Sequence, residues 1–87
     1  MRQIKELYGL IITSTLRKGI MNTLNKKSPL LQSAIAQKLK RKQQDISKEV
    51  YKLQKEGLIE CLNPEKGSYK AYTITKIGRE ALNYKLE

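Results

Sequence analysis

Ser33–Glu60 reads SAIAQKLKRKQQDISKEVYKLQKEGLIE, and the spacing of its apolar residues decides the fold. Ile35, Ala36 and Leu39 recur at helical intervals, and the stripe lapses over Lys40-Arg41-Lys42. Ile46, Val50 and Leu53 resume it at i, i+4 and i+7, which gives one apolar face. Gly57 follows directly, where a helix C-cap favours a residue free to take positive φ. The stretch predicts a helix opening at Gln32 or Ser33, a basic turn, and a second helix over Gln43–Glu56. The turn contains no glycine, so its backbone is expected to keep ordinary conformations.

Beyond Gly57 the period shortens from 3.6 to 2. Ile59 and Cys61 are expected on one face of a strand, Glu60 and Leu62 on the other. Pro64-Glu65-Lys66-Gly67 reads as a turn, with Gly67 supplying a positive φ. In the return strand Tyr72 and Ile74 should face inward, with Lys70 and Thr73 on or near the outer surface. Thr75 is placed to cap a last helix, Lys76 to about Leu86, whose stripe includes Ile77, Ala81 and Tyr84.

Upstream, Ile4, Leu7, Tyr8, Ile11 and Ile12 predict a helix from about Gln3 to Ile12, despite Gly9 within it. Thr13 and Ser14 can cap a following helix, Thr15 to about Asn25, striped by Leu16, Ile20 and Leu24. That helix is either separate from the first or continuous with it through a kink. Pro29 ends helical structure before it, and Leu30-Leu31 is long enough only for a very short strand.

The 87 residues read as a single domain, 1–87, with a lean core at 39% apolar content. Eighteen Lys and Arg against eight Asp and Glu give a net charge of +10, which implies an anionic partner. Cys61 is the one cysteine, so no intrachain disulfide exists, and it reads as a small inward-facing residue. Leu10-Ile11-Ile12 is too short an apolar run for a signal or membrane segment, so a cytoplasmic location without membrane contact is expected.

On a helical wheel, the side of Gln43–Glu56 opposite Ile46, Val50 and Leu53 carries Gln44, Lys48, Tyr51, Lys52 and Lys55. Asp45 and Glu49 lie off its centre. Residues 38 to 55 hold seven basic and two acidic side chains, net +5. An α-helix fits the DNA major groove, where glutamine pairs with adenine and lysine reaches guanine or phosphate. The candidate contacts are Lys40, Arg41 and Lys42 in the turn, and Gln43, Gln44, Ser47, Lys48, Tyr51, Lys52 and Lys55 on the helix. Lys66, Ser68 and Lys70 on the hairpin would reach backbone or minor groove. The bland alternative is that each of these is simply a solvated face, turn or loop tip.

Ser33–Glu60 resembles the helix-turn-helix of small winged-helix transcriptional regulators of the MarR, ArsR and PadR kind. Cys61–Leu82, CLNPEKGSYKAYTITKIGREAL, is similar to their wing and the helix after it, and Ser14–Leu24, STLRKGIMNTL, resembles their first helix. The likeness covers about residues 14 to 82. It implies an α+β, mostly helical winged helix-turn-helix: a three-helix core, a two-stranded β-hairpin wing, and flanking N- and C-terminal helices. The helix-turn-helix would span about 33–56, the wing about 58–74, and the terminal helices about 3–12 and 76–86. It further implies sequence-specific binding of double-stranded DNA by a homodimer on a palindrome. Gln43–Glu56 would be the recognition helix, Asn63–Tyr69 the wing tip, and the terminal helices the dimer interface. The turn Lys40-Arg41-Lys42-Gln43 departs from the small or glycine residue commoner in such proteins.

The chain has no histidine, no paired carboxylates that could share a cleft and no glycine-rich phosphate loop, so an enzyme is not expected. One cysteine and no histidine leave no metal-ligand set; no cofactor and no small-molecule effector is evident. The leading expectation is a transcriptional repressor acting by occlusion. An architectural DNA-coating protein of low specificity is the first alternative, mildly favoured by 14 Lys against 4 Arg, since arginine is the better base reader. A winged helix serving as a protein-interaction module is the second. RNA binding ranks below these, because no pair of exposed aromatics is evident for stacking.

Overall fold

The computed structural model describes residues 2–84, the side chains of Lys66 and Ser68 excepted. The elements in order are α1 (Ile4–Ile12), α2 (Thr15–Lys26), β1 (Leu30–Leu31), α3 (Gln32–Leu39), α4 (Gln43–Lys55), β2 (Ile59–Cys61), a 3₁₀ segment (Pro64–Tyr69), β3 (Ala71–Ile74) and α5 (Lys76–Leu82). The helices pack around the inner face of a small antiparallel sheet.

α1 and α2 are separate helices. Ser14 is extended, at φ −128° and ψ 119°, and its hydroxyl accepts from the Arg17 amide at 3.2 Å. That side-chain cap starts α2 afresh and rules out one kinked helix. Ile11, Ile20, Met21 and Leu24 are fully buried and form the α1–α2 share of the core. α3 contributes Ile35 and Ala36, α4 Ile46, Val50 and Leu53, and the sheet Ile59, Tyr72 and Ile74.

The turn between α3 and α4 corrects one sequence expectation. Lys40 is left-handed, at φ 55° and ψ 47°. Its amide ends α3 by donating toward the Ala36 and Gln37 carbonyls, and Arg41 N donates to Ala36 O at 3.0 Å. A reversal this tight satisfies the last carbonyls of α3 only if one residue turns left-handed, and here a lysine does so without the freedom of glycine. At the far end of α4 the expectation holds. Gly57 has φ 77°, Gly57 N bonds Gln54 O at 3.0 Å, and Leu58 N bonds Leu53 O at 3.0 Å. Both bonds of a Schellman cap are therefore present, and they aim the chain into β2.

The sheet has three strands, in the order β1-β3-β2: the two of the expected hairpin, joined by the very short strand expected at Leu30-Leu31. Leu30 pairs with Tyr72 and Leu31 with Ala71; Ile59 pairs with Ile74 and Cys61 with Tyr72. The wing is more ordered than a plain turn. Pro64–Tyr69 winds as a 3₁₀ segment interrupted at Gly67, φ 59°, and Asn63 braces its base. The Asn63 carbonyl oxygen accepts from Ala71 N at 2.7 Å, and its amide donates to Tyr69 O at 2.9 Å. Cys61 is half-buried against the core.

Thr75 caps α5 by accepting from Gly78 N at 2.9 Å, and its own hydroxyl points at the Gly57 and Leu58 carbonyls, 2.7 and 3.0 Å away. One side chain thus ties the start of α5 to the end of α4. Gly78 sits so close to this junction that a Cβ there would strike the Leu58 carbonyl. α5 stops at Leu82, shorter than predicted, and residues 85–86 of the expected helix lie outside the described residues. Tyr84 stacks obliquely on Tyr8 of α1, ring centres 5.5 Å apart.

Candidate nucleic-acid interface

α4 sorts its residues by face. Ile46, Val50 and Leu53 are buried, while Gln43, Gln44, Ser47, Lys48, Tyr51, Lys52, Gln54 and Lys55 are exposed. At about 100° per residue, the exposed set centres on the line through Gln44, Lys48, Tyr51 and Lys55. Tyr51 is 67% exposed, unusual for an aromatic with a core face available on the same helix.

The carboxylates of α4 and its C-cap occupy one flank and are drawn inward. Asp45, Glu49 and Glu56 are each half-buried. Glu49 meets Arg17 of α2 at 3.3 Å, with both side chains under 20% exposed. The two facing atoms, Arg17 Nε and Glu49 Oε1, have no hydrogen-bond partner, so the tie is Coulombic. Glu56 accepts a 2.8 Å bond from Arg2 Nε. Glu49 and Glu56 thus hold α4 and its C-cap to the rest of the molecule, and no described ion pair involves Lys48, Lys52 or Lys55.

The turn precedes this face directly. Lys40, Arg41 and Lys42 are all exposed. Lys42 is the N-cap of α4, its carbonyl accepting from Asp45 N and Ile46 N at 3.1 and 3.2 Å. Three cations therefore surround a helix N-terminus, whose partial positive charge adds to theirs. On the wing, Lys70 is half-buried, and its carbonyl accepts from Gln32 N, the first residue of α3, at 3.1 Å. Lys70, Tyr51, Gln54 and Lys55 together line an open cleft of about 450 Å³ between α4 and the wing. The structure therefore joins the predicted helix residues to one predicted wing residue. The predicted contacts Lys66 and Ser68 have side chains outside the described set.

Two residues of this surface escaped the sequence reading. Gln54 lines the cleft although it lies beside Leu53 in sequence. Tyr69, next to Lys70 in sequence at the end of the wing, is 71% exposed and is a second exposed aromatic besides Tyr51. An aromatic that breaks the alternation just before β3 was the available signal.

Solved structures share this arrangement. A MarR family transcription regulator superposes with a TM-score of 0.73 at 22% identity, over 91% of this chain and 53% of its own length. The PcaV transcriptional regulator from Streptomyces coelicolor gives 0.74 at 18% identity, over 91% of this chain and 61% of its own. The same regulator in complex with its natural ligand gives 0.73 at 18%, over 90% and 58%. The fold is the winged helix-turn-helix of MarR-type regulators. No family model matches the sequence, and no curated protein matches it significantly. The chain spans between 53% and 61% of the length of these regulators. Since PcaV is solved with a natural ligand, these likenesses lend no support to the expectation that no effector is involved. No helix among the described residues is long and apolar enough to cross a membrane.

Proposed function

We infer that the chain is a DNA-binding transcriptional regulator of the cytoplasm, with α4 lying in the major groove and the wing on the adjacent backbone or minor groove. The observation that carries this reading is the division of charge on α4. Its lysines stand on the exposed face with Gln44 and Tyr51, outside any ion pair among the described residues, while its acids lie on the half-buried flank, where Glu49 meets Arg17 and, at the C-cap, Glu56 meets Arg2. A merely solvated helix has no reason to segregate its charges so. Phosphates attract this face, and the polar side chains at its centre can meet base edges. Lys40, Arg41 and Lys42 would hold the backbone at the helix N-terminus.

The winged-helix likeness supports a homodimer joined through α1 and α5, and repression by occupying a promoter follows as its simplest consequence. An architectural role with low specificity is the second reading. It draws on the scarcity of arginine: Arg41 is the one arginine among the candidate contacts.

Titration of a labelled duplex across a salt series tests the shared core of both readings. The expected result is saturation at two chains per site and an affinity that falls steeply as salt rises, because bound phosphates release counterions. Absence of binding at low salt would sink the DNA reading and leave the basic face to a protein partner.

A further inference from the structure

The chain's charge is not centred on the recognition helix. From Leu7 to Gln44 there are eight basic residues and no acidic one. From Asp45 to Glu87 there are eight basic and seven acidic, net +1. Residues 7–44, spanning most of α1, all of α2, β1 and α3, and the turn, therefore carry +8 of the net +10. Within that span Lys26, Lys27 and Lys38 converge with Thr23 on a cleft of about 340 Å³ between the end of α2 and the last turn of α3. None of the four lines the cleft between α4 and the wing.

Three lysines at two helix ends have an ordinary explanation, since a helix C-terminus attracts cations. Its size decides against it. Each C-terminus is worth roughly half a negative charge, so two supply about −1 against three ammonium groups. About two positive charges remain over. All three lysines are exposed, and none appears in an ion pair among the described residues. The Thr23 hydroxyl already donates to Gly19 O at 2.8 Å, so the cleft presents ammonium groups as its donors.

We propose that this cleft is a second phosphate-binding site, which grips the backbone of the same duplex outside the stretch read by α4. This rests on the DNA-binding reading above. Lys38 lies two residues before the Lys40-Arg41-Lys42 turn, so the cations run from the N-terminus of α4 into the cleft without an intervening acid. α3 sets the displacement: it starts at the wing junction, where Gln32 meets Lys70, and Lys38 lies six residues on, about 9 Å along the axis. A backbone held there is beyond the wing contact and requires a longer footprint than one helix and a wing.

The test compares the full chain with Lys26→Gln/Lys27→Gln/Lys38→Gln, and with a charge-matched control, Lys5→Gln/Lys18→Gln/Lys76→Gln. Affinity for a duplex of about three helical turns is measured from about 50 to 200 mM salt, the range over which phosphate contacts register most clearly. The cleft variant should lose two to three units from the slope of log affinity against log salt per bound chain, at about 0.9 per phosphate contact. Its affinity deficit at low salt should therefore shrink about 40-fold over that range. The control should keep nearly the full slope, and the cleft variant with arginine at the three positions should restore it. An unchanged slope in the cleft variant, with wild-type binding intact, overturns this inference alone. An equal loss in the control overturns it in favour of the overall field. A variant that keeps its slope but no longer holds a second labelled duplex on a DNA-coated bead overturns it in favour of bridging. Wild-type chain that binds no duplex removes the DNA reading and this inference together.

Discussion

Lys40 and Tyr72 show how single residues carry costs that helical periodicity does not display. Lys40 holds a left-handed conformation that strains any residue with a Cβ by roughly 1–2 kcal/mol. Replacing it with glycine removes that strain and returns a smaller penalty through the freer unfolded chain. Lys40→Gly should therefore gain about 0.5–1 kcal/mol in urea denaturation, and a loss would mean the lysine side chain contributes more than its backbone costs. The same variant should bind DNA more weakly if the turn holds a phosphate. Tyr72 is 4% exposed, and burial first, then the nearby Cys61, raises its phenol above the ordinary 10.0. A folded pKa raised above the unfolded one contributes nothing adverse at lower pH. Its stabilising effect is fully present below pH 10.0 and fades as pH rises through the folded value. Tyr72→Phe should then lose less stability than wild type as pH rises past 10.0. Equal alkaline losses would show that the phenol ionises alike in the folded and unfolded chain.

At the scale of elements, α4 and its flanks explain both what the chain revealed and what it concealed. The stripe Ile46, Val50 and Leu53, the stop at Gly57 and the cap at Thr75 were legible because each is a local rule that the tertiary structure obeys. The very short strand at Leu30-Leu31 was legible, but its pairing was not, since two residues carry no periodicity and β3 supplies the partners. Nor was the left-handed turn, which depends on how α3 and α4 must meet rather than on a glycine. The 3₁₀ wing is held by Asn63 reaching Tyr69 and Ala71, contacts six and eight residues away that composition cannot disclose. The candidate site was legible as a face of α4. Its junction with the wing through Gln54 and Lys70, and the inward ties of Glu49 and Glu56, needed the packed molecule. This division gives a prediction for α4. Gln44→Ala and Lys48→Ala, at the centre of the exposed face, should narrow the ratio of affinities for a selected site over random duplex by about 5–100-fold each, equivalent to ~1–3 kcal/mol. Arg41→Ala, at the turn, should weaken both duplexes alike. Equal losses on both duplexes for all three variants, measured by fluorescence anisotropy, would count against direct base reading.

For the whole molecule the question is whether the basic surface recognises a sequence or only a polyanion. The charge distribution favours strong attraction to any duplex, with +8 of the net +10 concentrated between residues 7 and 44. The polar and aromatic centre of α4 favours choice among duplexes. A two-fold dimer of winged helices would convert that choice into a palindrome, with half-sites about one helical turn apart. The chain spans 53% to 61% of the length of the regulators whose fold it shares. The decisive measurement is repeated enrichment of a random duplex pool by the chain at about 150 mM salt, where nonspecific affinity is only ~10⁻⁴–10⁻⁶ M. The account predicts convergence on a palindromic site. A pool that stays random through successive rounds while still binding would contradict it and leave a DNA-coating protein in its place.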